Sequence, residues 1–295
     1  MLTAGDVFAM CANQEIIVGS MRIDVLVDEA DHSGDVSLLN NATPELLAQY
    51  VPSKKLSLPY TSLLIRDKGR IFLIDSGMGN RLLENLQQKG ITTEEINFIL
   101  ITHMHPDHIG GLVQGHKTVF PNATIYIAEK EKAFWTDSTN IETLSNPLKK
   151  IMKGPFEKAQ EVLTVCKKQI AEFTPRDVEK EPKEILPGIE AIAAYGHTPG
   201  HTAYLLQSED KCLLVLGDIF HVSEIQLAYP EVTLMFDIDE NQAAKTLRAI
   251  FEYAATTMIP VMATHKPAPH FGTLKTASSE KESHIFTPLQ FTQGA

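Results

Sequence analysis

Three histidines and an aspartate crowd into the stretch Thr102-His103-Met104-His105-Pro106-Asp107-His108-Ile109-Gly110-Gly111. His103 and His105 are two apart, so on an extended backbone their imidazoles point the same way and can share one metal ion. Asp107 and His108 are adjacent and diverge, and after the bend at Pro106 both can reach a second ion beside the first. Imidazole and carboxylate without sulfur suit zinc, and also manganese, iron or cobalt. The chemistry this supports is hydrolysis. Two cations can bridge one water and lower its pKa from 15.7 towards about 7, which supplies a bridging hydroxide as nucleophile at neutral pH without a separate base.

One loop offers too few ligands, and the remaining ones are expected at other strand ends. His197 closes an apolar run in Gly196-His197-Thr198-Pro199-Gly200-His201-Thr202, Asp218 follows a hairpin, and His265 follows the last strand. The five imidazoles and two carboxylates divide most economically into His103, His105 and His197 for one ion and Asp107, His108 and His265 for the other, with Asp218 shared. Asp107 and Asp218 would also accept hydrogen bonds from the hydroxide. Of the other histidines, His201 and His221 lie three or four residues from a proposed ligand and are expected to hydrogen-bond to the ligand shell. His32, His116, His270 and His284 fall in stretches that read as loops and are expected at the surface.

The elements that must position these residues follow one plan twice. Ser62 to Arg66, a turn at Asp67-Lys68-Gly69, and Ile71 to Ile74 read as a hairpin ending in Asp75-Ser76-Gly77. A short helix capped by Asn80 and running through Leu82, Leu83 and Leu86 to Lys89-Gly90 comes next, then a strand over Ile96 to Ile101 that ends in Thr102-His103. In the second pass, Thr202 to Gln207 and Cys212 to Leu216 form a hairpin ending in Gly217-Asp218. Asp239 and Gln242 make a capping box for a helix with its apolar stripe on Ala243, Leu247, Ile250, Phe251 and Ala254, and a strand from Met258 to Ala263 ends in Thr264-His265. An α/β scaffold of two related halves, with its chemistry at the strand ends, is the expectation. The halves run from about 15 to 135 and from about 185 to 295 of a single domain spanning 1–295, with a helical connection over about 136–184. Within that connection, Phe156 to Phe173 shows helical spacing through Leu163, Cys166, Ile170 and Phe173, and Arg176 to Lys183 reads as a solvated link. The weakly periodic stretch from about Asp28 to Pro59 is a loop long enough to overhang a site.

Composition narrows the function. Twenty-six Lys and Arg against thirty-seven Asp and Glu give 295 residues a formal charge of −11, which disfavours nucleic acid and anionic membrane surfaces as partners. Cys11, Cys166 and Cys212 form no Cys-x-x-Cys pair, so neither a disulfide framework nor a thiolate zinc site is expected, and each reads as a small buried hydrophobe. No run approaches the roughly 18 apolar residues of a membrane span. No Lys or Arg precedes Arg22, and Asp6, Asn13 and Glu15 break any apolar leader, so the expected compartment is the cytoplasm, with secretion or a periplasmic location only if a leader had been removed.

The text around these ligands resembles the metallo-β-lactamase superfamily, whose motif is His-x-His-x-Asp-His followed by a later His, Asp and His. All seven positions are filled between Ser62 and His265. The resemblance implies an αββα sandwich with a binuclear metal site at one edge, and a role for Asp75 in bracing the metal loops. Within the superfamily, Thr102 to Leu112, Val119 to Tyr126, Gly196 to Tyr204, Gly217 to Val222 and Phe236-Asp237-Ile238-Asp239 are similar to methyl parathion hydrolase and related lactonases. That implies hydrolysis of a lactone, aryl ester or organophosphate triester, with a small molecule as substrate; homodimers are common among such relatives.

Departures bear on the alternatives. Asp218 stands where antibiotic-hydrolysing enzymes commonly have Cys, and His105 where flavodiiron proteins have Glu. Glyoxalase II shares the first motif, but thirty residues after His265 are too few for its glutathione-binding domain. Ribonuclease Z shares the ligands, but its tRNA substrate fits poorly with the acidic charge. A thioester or phosphodiester hydrolase on the same site, a diiron oxidase, and a metal-binding protein without turnover are the competing readings. Apolar side chains are expected to set specificity, with Trp135, the single Trp, foremost, then Phe134, Phe156 and Phe220, and with Leu38, Leu39 and Tyr50 from the early loop.

Overall fold

A computed structural model of the protein describes residues 15–277 and 284–289. Its strands form two large sheets, each laid out in chain order. The first contains Glu15–Val18 (β1), Met21–Glu29 (β2), Tyr60–Asp67 (β3), Arg70–Ile74 (β4), Phe98–Leu100 (β5), Thr124–Ala128 (β6) and Ile170–Phe173 (β7). The second contains Glu184–Leu186 (β8), Ile189–Ala193 (β9), Thr202–Ser208 (β10), Lys211–Val215 (β11), Pro260–Met262 (β12), Phe271–Thr276 (β13) and His284–Pro288 (β14).

Alternation along the strands decides the layering. Leu63, Ile65, Phe72 and Ile74 of β3 and β4 share one buried cluster with Tyr204, Leu206, Leu213 and Val215 of β10 and β11, so the sheets pack face to face. The intervening Leu64 and Leu73 point outward, under the helices Leu82–Gln88 (α1), Glu129–Thr136 (α3) and Asn146–Val165 (α4), with the one-turn helix Pro106–Ile109 (α2) falling between α1 and α3 in the chain. Leu205 and Leu214 point outward on the other side, under Glu240–Thr257 (α5). The result is the αββα sandwich. The two-pass plan is visible in the pairing: β2, β3 and β4 are antiparallel neighbours and β4 and β5 parallel, as are β9, β10, β11 and then β11 and β12. Beyond that point the halves part, since β6 and β7 continue parallel while β13 and β14 run antiparallel.

Several local expectations are corrected. The helix expected over Phe156 to Phe173 begins at Asn146, carries Pro155 in its interior and stops at Cys166, whose amide caps on the Val162 carbonyl. Ile170 and Phe173 mimic a helical stripe, but parallel pairing with β6 draws them into the sheet. The connection between halves is therefore not wholly helical. Asn80 does not cap α1; the carboxylate of Asp28 instead accepts from the Asn80 and Arg81 amides at 3.2 and 2.7 Å. Asp239 caps α5 by accepting from the Gln242 amide, but the Gln242 side chain turns to Thr246 rather than closing the box. Arg176 is not solvated. Its side chain is 7% exposed and pairs at 2.7 Å with that of Glu190, which is 2% exposed. Cys166 is buried and Cys212 partly so, while Cys11 lies outside the described residues.

The stretch expected as a long early loop folds into short elements. It includes the helix Pro44–Tyr50 and a two-residue strand, Leu39–Asn40, paired with Thr233–Leu234. Leu39, Val51, Leu56 and Leu58 form a separate apolar cluster with Val222, Ile225, Val232 and Leu234. This small core caps one edge of the sandwich.

Candidate metal centre

The chain turns sharply after β4. Asp75 takes a left-handed conformation, φ +59°, seldom adopted by non-glycine residues, and its carboxylate accepts from the Thr102 amide at 2.8 Å, the Thr102 hydroxyl at 2.7 Å and His108 Nδ1 at 2.7 Å. This braces the loop that leaves β5. In the second half Gly217, φ +58°, plays the matching turn before Asp218, and a Cβ there would meet His201 Nε2 at 2.5 Å.

Those hydrogen bonds fix which nitrogen of each ring faces inward. The Thr102 hydroxyl spends its proton on Asp75 and so accepts from His103 Nδ1 at 3.1 Å. His197 Nδ1 donates to Asp237 at 2.7 Å, and His265 Nδ1 to the Pro59 carbonyl at 3.0 Å. In their neutral forms His103, His108, His197 and His265 therefore each present a bare Nε2 lone pair to the centre. His105 is turned the other way, with Nδ1 3.0 Å from His103 Nε2 and 2.9 Å from His197 Nε2.

The ligand atoms gather into groups. His103, His105, His197 and Asp218 offer atoms all within 4.8 Å of one another, as do Asp107, His108 and His265, and as do Asp218, His221 and His265. Lone pairs facing lone pairs in a dry site are costly unless a cation lies among them. His108 Nε2 stands 3.2 Å from Asp218 Oδ1, yet neither buried atom makes a hydrogen bond. A divalent cation of borderline hardness fits this donor set.

The electrostatics agree. Burial holds His103, His105 and His197 well below the usual imidazole range, which keeps them in the neutral, metal-binding form. Burial also opposes charge on His108 and His265, but the Asp218 carboxylate, with further carboxylates around it, outweighs that and raises both. Burial likewise pushes Asp218 up, and the histidines around it, His108 and His265 first, carry it well below the usual carboxylate range. The centre attracts positive charge.

Other expected residues fall as follows. His201 uses both nitrogens, Nδ1 donating to the Ala194 carbonyl at 2.8 Å and Nε2 accepting the Asp218 amide at 3.0 Å, and burial lowers its pKa to about 4. It holds Asp218 in place and keeps no lone pair for an ion. His221 Nε2 lies 3.0 Å from Asp218 Oδ2, the same oxygen that His265 faces, and the two rings stack at 4.8 Å. His270 and His284 are buried and His32 is half-buried, contrary to the surface expectation, whereas His116 is exposed.

A cavity of about 490 Å³ opens over the centre. His105, Asp107, His197, Asp218, His221 and His265 form its floor. Leu38 and Leu58 of the early segment, Ile151, Met152 and Pro155 of α4, and Leu234 and Phe236 supply apolar walls. His32, Ser33, Asp35 and Tyr60 add polar groups, and no Lys or Arg lines the cavity among the described residues. The expected wall aromatics are elsewhere. Trp135 is fully buried, donates Nε1 to Glu131 at 2.7 Å and sets its ring edge-on to His105; Phe134 and Phe156 pack on Trp135. Phe220 packs on Phe251 in the outer core of the second half. Of the early-loop residues, Leu38 reaches the cavity and Leu39 and Tyr50 lie in the cluster behind it.

Three residues with a part in the centre escape a reading of spacing alone. Thr102 relays Asp75 to His103, Asp237 orients His197, and Glu131, in a run of alternating charges that looks like a solvated helix face, is 1% exposed.

Residues 58–260 match the family profile of the Metallo-beta-lactamase superfamily. The chain belongs to that superfamily. It is a metal-dependent hydrolase within it, and lactonases recur among the similar proteins. An N-acyl homoserine lactonase of Bacillus cereus is 24% identical over 194 residues, which is 56% of this chain and 65% of that protein. AidC, a dizinc quorum-quenching lactonase solved with a product, N-hexanoyl-L-homoserine, superposes with a TM-score of 0.85 at 25% identity, over 95% of this chain and 98% of that one. The hydrolase AbOPH gives 0.81 at 25% identity, with the same coverage of both chains. No helix among the described residues is long and apolar enough to cross a membrane.

Proposed function

We propose that this superfamily member hydrolyses neutral ester-type substrates carrying an apolar substituent, lactones foremost, at a centre of two divalent cations. The observation that carries this reading is the cavity lining: apolar walls over a His and Asp floor, with carboxylates at Asp35, Asp107 and Asp218 and, among the described residues, no Lys or Arg to meet an anion. A glutathione thioester brings carboxylates remote from its reacting carbonyl, which the walls would have to desolvate unpaired, and a phosphodiester would have the cations alone to meet its charge. Lactones, aryl esters and organophosphate triesters bring none. The lactonases among the relatives favour the first, and the resemblance to methyl parathion hydrolase keeps the triesters in view.

His103, His105 and His197 would hold one cation and Asp107, His108 and His265 the other, with Asp218 shared, zinc being the expected metal. When bound, a pair of divalent cations supplies Lewis acidity and a source of hydroxide near neutral pH. The chain does the rest. Asp75 and Asp237 hold His108 and His197 in the ligating tautomer. The Asp107 side chain, 19% exposed at the cavity floor, can accept a hydrogen bond from the attacking water and orient it. Tyr60 sits edge-on to His265, burial keeps its phenol protonated, and its hydroxyl has no hydrogen bond within the described residues, so it is free to donate to a substrate oxygen. The apolar walls exclude water and take up the substituent.

The test is turnover of a matched panel by metal-analysed protein: an acyl homoserine lactone, a δ-lactone, a p-nitrophenyl ester and methyl paraoxon against a phosphodiester and a glutathione thioester. Faster hydrolysis of the neutral members is expected. Preference for either anionic member overturns the reading.

A further inference from the structure

The ligands of the first ion, His103, His105 and His197, come from two loops in different halves of the chain, and one side chain joins those loops. Glu131 in the first turn of α3 is 1% exposed and takes four hydrogen bonds. Its Oε1 accepts from the amide of Met104, between His103 and His105, at 2.8 Å and from Trp135 Nε1 at 2.7 Å. Its Oε2 accepts from the hydroxyl of Thr198, next to His197, at 2.7 Å and from the Gly200 amide at 2.9 Å. The second loop is pressed against α3 to make this possible: a Cβ on Gly200 would stand 2.1 Å from the Glu131 amide nitrogen. None of these bonds reaches Asp107, His108 or His265.

We propose that Glu131 is a positioning residue for the first ion alone, clamping the His103–His105 loop to the His197 loop so that three imidazoles converge on one point. Glu131 has no cationic partner among the described residues, so these four donors alone meet its charge, and two of them flank proposed ligands from opposite halves. Trp135 then acts as the anchor of the carboxylate, which accounts for the burial of a residue expected at the pocket wall. The inference rests on the two-ion reading above, and metal binding rather than ester turnover tests it.

Stepwise zinc titration of metal-stripped wild type, Glu131→Gln and Thr198→Val, followed by calorimetry, decides the matter. The amide keeps the size of Glu131 but turns a donor toward donors, and the valine removes one donor while leaving Glu131 in place. The expected result is a fall of about 10- to 100-fold in the affinity of one equivalent, larger for Glu131→Gln, with the other equivalent unchanged. Equal weakening of both equivalents, or a loss of thermal stability with both affinities intact, overturns the inference. If wild type binds a single equivalent, the two-ion reading falls, and Glu131 must then weaken that equivalent in both variants or be rejected as well. Should Glu131→Gln fail to fold, Thr198→Val alone gives the same two-way answer.

Discussion

The two proposed ligand sets that share Asp218 are built differently. His103, His105 and His197 are all imidazoles, all buried and all kept neutral by that burial, with Asp237 and the Glu131 clamp behind them. The second set mixes His108 and His265 with a carboxylate, Asp107, that is partly open to the cavity, and its histidines are drawn toward the charged form by Asp218. It is held by Asp75 and by a backbone carbonyl, and Tyr60 lies on its side. Both sets reach the cavity floor, the first through His105 and His197 and the second through Asp107 and His265, but only the second brings a carboxylate of its own, with the Tyr60 phenol beside it.

Removing the shared ligand should erase the comparison. Asp218→Ala is expected to bring hydrolysis to background and to lower metal content below two equivalents. Near wild-type turnover with both metals bound would contradict the assignment of Asp218 to both ions. Asp237→Asn and Asp75→Asn should instead separate the sets. Asp237→Asn, acting through His197, is expected to weaken one equivalent by about 10- to 100-fold, whereas Asp75→Asn, which touches His108 directly and His103 through Thr102, is expected to weaken both. Metal titration of the two proteins checks this, and equal weakening of both equivalents by Asp237→Asn would merge the sets. The smallest effect is in the proton inventory of the metal-stripped protein. Because the folded-state pKa values of His108 and His265 are raised, their rings should stay protonated to a pH above 6.5. Those of His103, His105 and His197 are lowered, so they should remain neutral well below it. Imidazole NMR resonances followed through pH would show two classes, and one shared midpoint near 6.5 would remove the electrostatic distinction.

What the sequence discloses about this molecule divides along the same line as the physics. The residues that gather at the centre are legible because metal chemistry restricts residue type and because strands deliver them at fixed places, as at Thr102-His103 and Thr264-His265. The hairpins are legible because period-two burial writes itself into Leu63 to Ile74 and Tyr204 to Val215. Ile170 to Phe173 is not, since only pairing with Thr124–Ala128 makes it a strand. The cavity walls are not either. Leu38, Ile151 and Leu234 meet there from three distant stretches, and nothing in a lone apolar residue distinguishes a wall from a core. Trp135 and Glu131 mislead in opposite senses: the aromatic looks like a pocket residue and is buried, while the carboxylate looks solvated and is buried with it.

Opening a neutral ester at this centre is proposed to need two cations. Protein stripped by chelator should be titrated with zinc while acyl homoserine lactone hydrolysis and bound metal are recorded together. Activity that is absent without metal and reaches its plateau only as the second equivalent binds is the predicted result. Full activity in the stripped protein, or a plateau at one equivalent, would contradict it.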